Sequence, residues 1–262
     1  MKIARIKVGE AIFYASVGEN EFEIINGNIF GEIELSGEKV AASECTLLAP
    51  IEPYQIIAIG ANYRRHADEC GMEYPKAPIV FIKANSSLAG PGDDVILPKM
   101  APNEVDFEAE LTIVIGKTAK NITEDEVDDY ILGYTCGNDI SARDCQLKLD
   151  VQWARGKSFD TFAPIGPWIA TGLDGDNLDI SLTLNGEKVQ DSNTSDLIFN
   201  CRYLVSYLSR CMTLHPGTII MTGTPSGVGM GRKQKLYLKE GDNMSVTIEG
   251  IGTLQNTVSK EM

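Results

Sequence analysis

Short apolar runs broken by turn residues dominate this chain, and few stretches carry a helical period. Residues 11–17 are apolar and aromatic, Asn26-Gly27-Asn28 is a turn signal, and 29–35 follow as a second strand candidate. Two prolines within 46–53 mark a connector, and 54–59 reads as a short buried strand. The pattern therefore predicts a small N-terminal β-rich domain over 1–52 and a larger second domain over 53–262. In the second, 111–115 is a buried run, and 179–184 alternate and lead through the Asn185-Gly186 turn into 187–190. Residues 244–249 and 253–258 flank Gly250-Ile251-Gly252 as a final hairpin. Two helices are predicted. Thr123 and Glu126 make a capping-box pattern ahead of 127–132. Ile198, Cys201, Leu204, Leu208 and Cys211 share one face of a helix over about 197–212. The fold class is mainly β (α+β), with no repeat of fixed period.

Composition narrows the function. With 262 residues, 43% of them hydrophobic and 23% charged, the chain is an ordinary globular protein that needs no metal or disulfide merely to fold. Lys and Arg number 23 against 37 Asp and Glu, a formal net charge of -14, which argues against nucleic acid or an anionic membrane as partner. An anionic substrate would need a local positive centre. No apolar span has the length of a transmembrane helix, and the basic start Met1–Lys7 is not followed by a signal-peptide core. Six cysteines without a C-x-x-C pair are expected as reduced thiols in the cytoplasm.

The most informative stretch is Val105-Asp106-Phe107-Glu108-Ala109-Glu110-Leu111, running on into an apolar strand. Alternation puts Asp106, Glu108 and Glu110 on one face and Phe107, Ala109 and Leu111 on the other. Carboxylates at the mouth of a buried strand lose hydration and repel one another; two unit charges 4 Å apart cost about 4 kcal/mol at an effective dielectric near 20. A divalent cation removes that penalty, and oxygen-only ligands favour Mg²⁺, Mn²⁺ or Ca²⁺ over zinc. A solvated edge-strand face would show the same residues. Downstream, Asn138-Asp139-Ile140-Ser141-Ala142-Arg143-Asp144 offers a ligand and an anion clamp, or equally an Asx-turn with a surface ion pair.

Taken together, Phe107–Leu111, 138–144, Arg-Gly-Lys-Ser-Phe-Asp-Thr-Phe at 155–162 and Gly-Thr-Pro-Ser-Gly-Val-Gly at 223–229 resemble signatures of the fumarylacetoacetate hydrolase family, in that family's order, over roughly 53–260. The first 50 residues resemble the small extra domain of some bacterial members. The resemblance implies a mixed β-sandwich roll, a homodimer and one divalent metal per subunit, Mg²⁺ or Mn²⁺. It implies metal ligands at Glu108, Glu110 and Asp139, an active-site lysine at Lys157, and substrate-facing groups at Arg143, Gln146 and Thr224. Thr161 matches a supporting position. In the acylpyruvate-cleaving branch a His-x-x-Glu pair on a short lid helix acts on water, and here that pair is His66 and Glu69, three apart and so on one helical face, with Gly60 and Gly71 as hinges.

The substrate implied is a small 2-oxo or 1,3-dioxo carboxylic acid. The leading expectation is an enzyme hydrolysing a C–C bond in a 2,4-dioxo acid of the acylpyruvate or fumarylpyruvate type, through a metal-stabilised enolate, with His66 deprotonating water and Glu69 orienting it. Oxaloacetate decarboxylation and isomerisation (or decarboxylation) of a hydroxyhepta-dienedioate share that enolate. A non-catalytic module of the same fold is the alternative from another class. Metal, Lys157 and Arg143 would form the positive island that an acidic protein needs for an anion. The 223–229 run lacks the Gly-Lys-Ser/Thr ending of a phosphate loop, and 233–238 after it read as strand rather than helix, so its glycines are expected to let backbone approach the substrate. Lys83, Tyr63 and 190–197 are candidates for selecting the distal group, and His215 is expected to be structural.

Overall fold

The computed structural model describes residues 1–261; residue 262, where the second expected domain ends, lies outside the described residues. A long mixed sheet runs in the order Glu34–Ala41, Glu21–Asn26, Ala11–Val17, Lys2–Val8, Ala163–Ala170, Ile131–Asn138, Ala109–Ile115, Ile219–Met221, Ile56–Gly60 and Ile79–Lys83. A second sheet runs Glu187–Asn193, Asp179–Leu184, Asn243–Ile248, Gly252–Lys260 and Asp94–Leu97. The central strands of the first lie against the second, and Leu111, Ile113 and Cys136 share a buried cluster with Leu182, Val246 and Leu254. This is the mainly β, mixed roll expected. Three short helices complete it: α1 (Arg64–Glu69), α2 (Ala154–Lys157) and α3 (Cys201–Cys211), the last burying Leu204, Val205 and Leu208 into the same cluster.

The N-terminal strands join the long sheet through Lys2↔Ala170 and Ile3↔Ile169, and Ile3, Ile25 and Ile29 share a core with Ile51, Ile56 and Ile165. The strand after the Asn26-Gly27-Asn28 turn begins at Glu34 rather than 29, because Asn28 accepts from the Phe30 and Gly31 amides and holds the chain in a turn. The Thr123–Glu126 capping box forms, yet only a 3₁₀ stretch, Glu124–Asp129, follows it. Residues from Ile131 onward pair on both sides within the long sheet instead, so tertiary pairing overrides the local helix signal. The third helix begins at Cys201, capped by Asn200 accepting from the Tyr203 amide, while the Ile198 amide donates to the Asn62 carbonyl. Residues 233–238 form no strand; Leu236 and Leu238 donate single bonds to Gly229 and Val105.

Beside α1, Gly60 has a packing role. It ends a strand with no left-handed backbone, and a Cβ there would lie 2.3 Å from the Trp153 ring. The glycine makes room for the Trp153 ring, which packs edge-on against Phe81 and lines the site cavity. Gly60→Ala is expected to destabilise the fold by about 1–3 kcal/mol through overpacking. The check is the urea midpoint at constant m-value, and the loss should shrink when Trp153→Leu supplies the space.

Candidate active site

The acidic stretch is not one continuous strand. Val105–Asp106 pairs with Ser141–Ala142, residues 107–108 leave the ladder, and Ala109–Ile115 resumes in the long sheet. Side chains fill the gap: the Glu108 amide donates to Asn138 Oδ1 and the Ala109 amide to Gln190 Oε1, both at 2.9 Å. The Asp139 amide donates to the Glu108 carbonyl at 2.9 Å, which fixes the later turn against the strand. Glu108, Glu110 and Asp139 are all buried, and one carboxylate oxygen of each lies within 4.8 Å of the others. The fourth acid, Asp106, is buried beside them but is held by the Gly229 and Met230 amides (2.8 and 3.0 Å) and by Arg143 Nε (2.9 Å).

Three buried cations answer these acids. Lys157 Nζ donates to Glu108 Oε2 at 2.7 Å and Asp139 Oδ2 at 2.6 Å. Lys83 Nζ pairs with Asp139 Oδ1, and Arg143 reaches both Glu108 (2.6 Å) and Asp106 (2.9 Å). Burial works to raise Glu108, but Lys157 and Arg143 outweigh it and hold its carboxyl well below the usual range. Glu110 is the opposite case: burial, then the charges of Asp139 and Glu108, push it well above that range, and the Gly223 amide at 2.9 Å is its one hydrogen-bond donor among the described residues. Burial pulls Lys83 down, whereas for Lys157 the attraction of Asp139 and Glu108 exceeds the burial cost and holds it up. Oxygen-only donors converging around an uncompensated acid fit a hard divalent cation, so Glu108, Glu110 and Asp139 could hold Mg²⁺ or Mn²⁺.

His66 and Glu69 meet on α1, with Nδ1 2.9 Å from Oε1. The Gly227 amide donates to both Glu69 oxygens (3.0 and 2.9 Å), and Arg64 ties the helix start to the Asp196 carbonyl at 3.0 Å. Burial works to lower the His66 pKa, but contacts with Cys70 and Glu69 dominate and raise it to about 9. A cavity of about 60 Å³, room for a few waters, is floored by His66, Glu108, Glu110, Asp139, Arg143, Gln146, Lys157 and Thr224. Met72, Phe81, Leu147, Trp153 and Met230 form its apolar wall. Glu69 stands behind His66. Arg143 faces the cavity while also donating to Gln146 Oε1 at 2.8 Å.

The glycine loop bears on the site differently from its expected approach to substrate. The Gly223, Gly227 and Gly229 amides bind the protein's own acids Glu110, Glu69 and Asp106. Gly223 and Gly227 adopt φ +103° and +104°, which only glycine takes without strain. Thr224 lines the cavity and accepts from Gln190 Nε2 at 2.9 Å.

Two residues weighed only for distal-group selection sit elsewhere. Lys83 lies under Asp139, a position legible from its sharing a strand face with buried Phe81. Gln190 braces Ala109 and Thr224 from the second sheet, and no sequence signal gave that pairing. Tyr63 is buried in the core with its hydroxyl unpaired among the described residues, away from the cavity wall. The Thr161 hydroxyl accepts from the Ile96 amide at 2.8 Å, and His215 packs on Tyr54.

A β-roll that buries an acidic centre, one carboxylate short of compensation, beside a His–Glu pair has the fold and the groups of an enzyme acting on small molecules. Residues 55–259 match the family described as fumarylacetoacetate (FAA) hydrolase C-terminal, and 1–50 match the family described as Rv2993c-like, N-terminal. The chain belongs to the fumarylacetoacetate hydrolase family. It is 44% identical to the mitochondrial oxaloacetate tautomerase Fahd2a of Rattus norvegicus, over 84% of this chain and 71% of that protein. It is 46% identical to 2,4-didehydro-3-deoxy-L-rhamnonate hydrolase of Sphingomonas sp. (strain SKA58), over 79% and 73%. The crystal structure of 5-carboxymethyl-2-hydroxymuconate delta-isomerase from Mycobacterium smegmatis superposes with a TM-score of 0.91 at 38% identity, covering 100% of both chains. No helix among the described residues is long and apolar enough to cross a membrane.

The two glutamates should respond oppositely in chelator-treated protein. Glu110, raised in the fold, contributes stability that is full below its unfolded value and lost as pH rises through its folded one. Glu108, depressed, contributes above its unfolded value and loses that as pH falls through its folded one. At neutral pH, Glu110→Gln should therefore stabilise the metal-free chain by about 1 kcal/mol. Glu108→Gln, which leaves Lys157 and Arg143 short of a partner, should destabilise it by about 3 kcal/mol. Urea unfolding with and without Mg²⁺ checks both; the added metal should stabilise the wild type more than either variant.

Proposed function

We propose that this chain catalyses proton transfer at the carbon beside the 2-oxo group of a small 2-oxo carboxylic acid, an enol–keto tautomerisation or isomerisation, with Mg²⁺ or Mn²⁺ as cofactor. The observation that carries this reading is His66, backed by Glu69, lining the same cavity as the acidic centre. Glu69 takes the Nδ1 side of the ring, which leaves Nε2 for the substrate. The raised pKa of about 9 keeps a proton on His66 at neutral pH, as a donor to an enol carbon requires.

When bound at Glu108, Glu110 and Asp139, the cation would supply Lewis-acid stabilisation of negative charge on the substrate's oxygens. Lys157 adds fixed positive charge at the same place and, with Arg143, attracts the carboxylate of an anion into an acidic protein. Thr224 accepts from Gln190, which leaves its hydroxyl proton to donate to a substrate oxygen. The apolar wall of Met72, Trp153 and Met230 keeps bulk water from the transferred proton. The identity to an oxaloacetate tautomerase and the superposition on a delta-isomerase support this class.

C–C hydrolysis of a 2,4-dioxo acid is the second reading, favoured by the identity to a hydrolase. It uses the same pair with His66 neutral and acting on water. Oxaloacetate decarboxylation needs the same enol protonated afterwards. The proposal extends to a cytoplasmic homodimer, supported by the sheet-edge strand Ile79–Lys83 exposing Ile79 and Ile82, and to residues 1–52 as a small β-rich domain continuous with the long sheet.

The test is a panel of enol-oxaloacetate, acetylpyruvate and fumarylpyruvate with Mg²⁺ and with Mn²⁺. Tautomerisation should be fastest, and His66→Gln should lower its kcat by at least about 100-fold while Mn²⁺ affinity holds. Acetylpyruvate cleavage outrunning tautomerisation would install the second reading. An unimpaired His66→Gln tautomerase would remove His66 from the chemistry altogether.

A further inference from the structure

A second group of metal-ligating atoms lies outside the carboxylate centre. On α1, His66 and Glu69 are followed directly by Cys70, which caps the helix. Offsets of three and four put all three side chains on one face. His66 Nδ1 is 2.9 Å from Glu69 Oε1 and 4.0 Å from Cys70 Sγ, and one ligand atom from each lies within 4.8 Å of the others. Tetrahedral zinc, with bonds of about 2.0–2.3 Å, needs ligand atoms roughly 3.3–3.7 Å apart, so rotamer shifts of about an ångström would complete the set. The Gly227 amide already fixes the carboxylate from behind, the outer support that orients a metal-ligating oxygen. Cys70 is partly exposed, so solvent and ions reach it.

We propose that His66, Glu69 and Cys70 form an inhibitory site for a thiophilic divalent cation of the Zn²⁺ class, distinct from the oxygen-only centre at Glu108, Glu110 and Asp139. Ligand chemistry separates the two: a nitrogen, a sulfur and one oxygen select zinc or cobalt, whereas three carboxylates suit magnesium or manganese. On binding, the Cys70 thiol releases its proton to solvent and Nδ1 gives up its own, so the imidazole binds through its lone pair and keeps one hydrogen, on Nε2. A ring held that way is no longer an imidazolium, so it cannot serve as an acid towards an enol carbon or accept a further proton, and Glu69 is drawn from orienting it to ligating the metal. The inhibitory consequence rests on the proton-transfer role proposed for His66; the binding does not.

Cobalt separates the two claims. Titrating Co²⁺ into Glu110→Gln, whose carboxylate centre is weakened, should develop the sulfur-to-cobalt charge-transfer absorption with one ion per chain. Adding Cys70→Ala, or Cys70→Ser as a second variant, should abolish it. In the Mg²⁺-supported assay, Zn²⁺ should inhibit the wild type, and either Cys70 variant should raise the half-inhibitory concentration at least about tenfold. Charge-transfer absorption that survives loss of Cys70, or that never develops, overturns the site. Absorption that depends on Cys70 without any Zn²⁺ effect on turnover upholds the site and overturns instead its inhibitory role, with the role of His66 in proton transfer.

Discussion

Burying four carboxylates in the seam between two β-sheets is the constraint on which the rest of this structure depends. Asp106, Glu108, Glu110 and Asp139 are each at most 5% exposed, in a setting where an isolated charge would neutralise or unfold the chain. The fold answers with Lys83, Lys157 and Arg143, also buried, and each contributes through a different element. Lys83 ends an edge strand, Lys157 ends α2, and Arg143 follows the strand pair that carries Asp106. The break in the acidic strand at 107–108 belongs to the same solution. Regular pairing there would satisfy the backbone but would not turn Glu108 and Asp139 onto a common centre; Asn138 and Gln190 satisfy the freed amides instead.

Backbone completes what side chains leave undone. The loop 223–230 aims amides at three acids with separate places, one in the acidic triad, one behind the imidazole and one anchoring Arg143. Amide donors cannot ionise and add no formal charge, so they stabilise these carboxylates without filling the space that a cation or substrate would use. A side chain at Gly229 would collide with the Leu236 carbonyl at 1.8 Å, and one at Gly227 with the Val189 carbonyl at 2.2 Å. Glycine is needed there because the loop lies pressed between the acids and neighbouring backbone.

The outline of the site was legible in the sequence because alternation in a strand and spacing on a helix are local. Glu108 and Glu110 share a face by period two, and His66 and Glu69 by offset three. Which other residues met them was settled by resemblance to a family, since Asp139 and Lys157 arrive from separate elements. Gln190 stayed invisible for the same reason: it reaches the centre from the opposite sheet, and a buried glutamine has no local signature. The short helix after Thr123 and the late start of the strand at Glu34 have the complementary cause. In each case sheet pairing or an Asx-turn overrides the local signal.

Counting formal charges carries the argument one step further. Four acids face three bases at the centre, so full ionisation leaves one negative charge over, and Lys83 is the base that burial most weakens. The deficit collects on Glu110, which has a backbone amide but, among the described residues, no cation in contact. Only a proton on Glu110 or a positive ion beside it can close the account in a low-dielectric interior. A chain selected for stability alone would place glutamine there, and would lose nothing in packing. An ionisable group at the position where it costs the most suits a cation site, because the unmet charge that opposes folding is also the attraction that would hold a cation there.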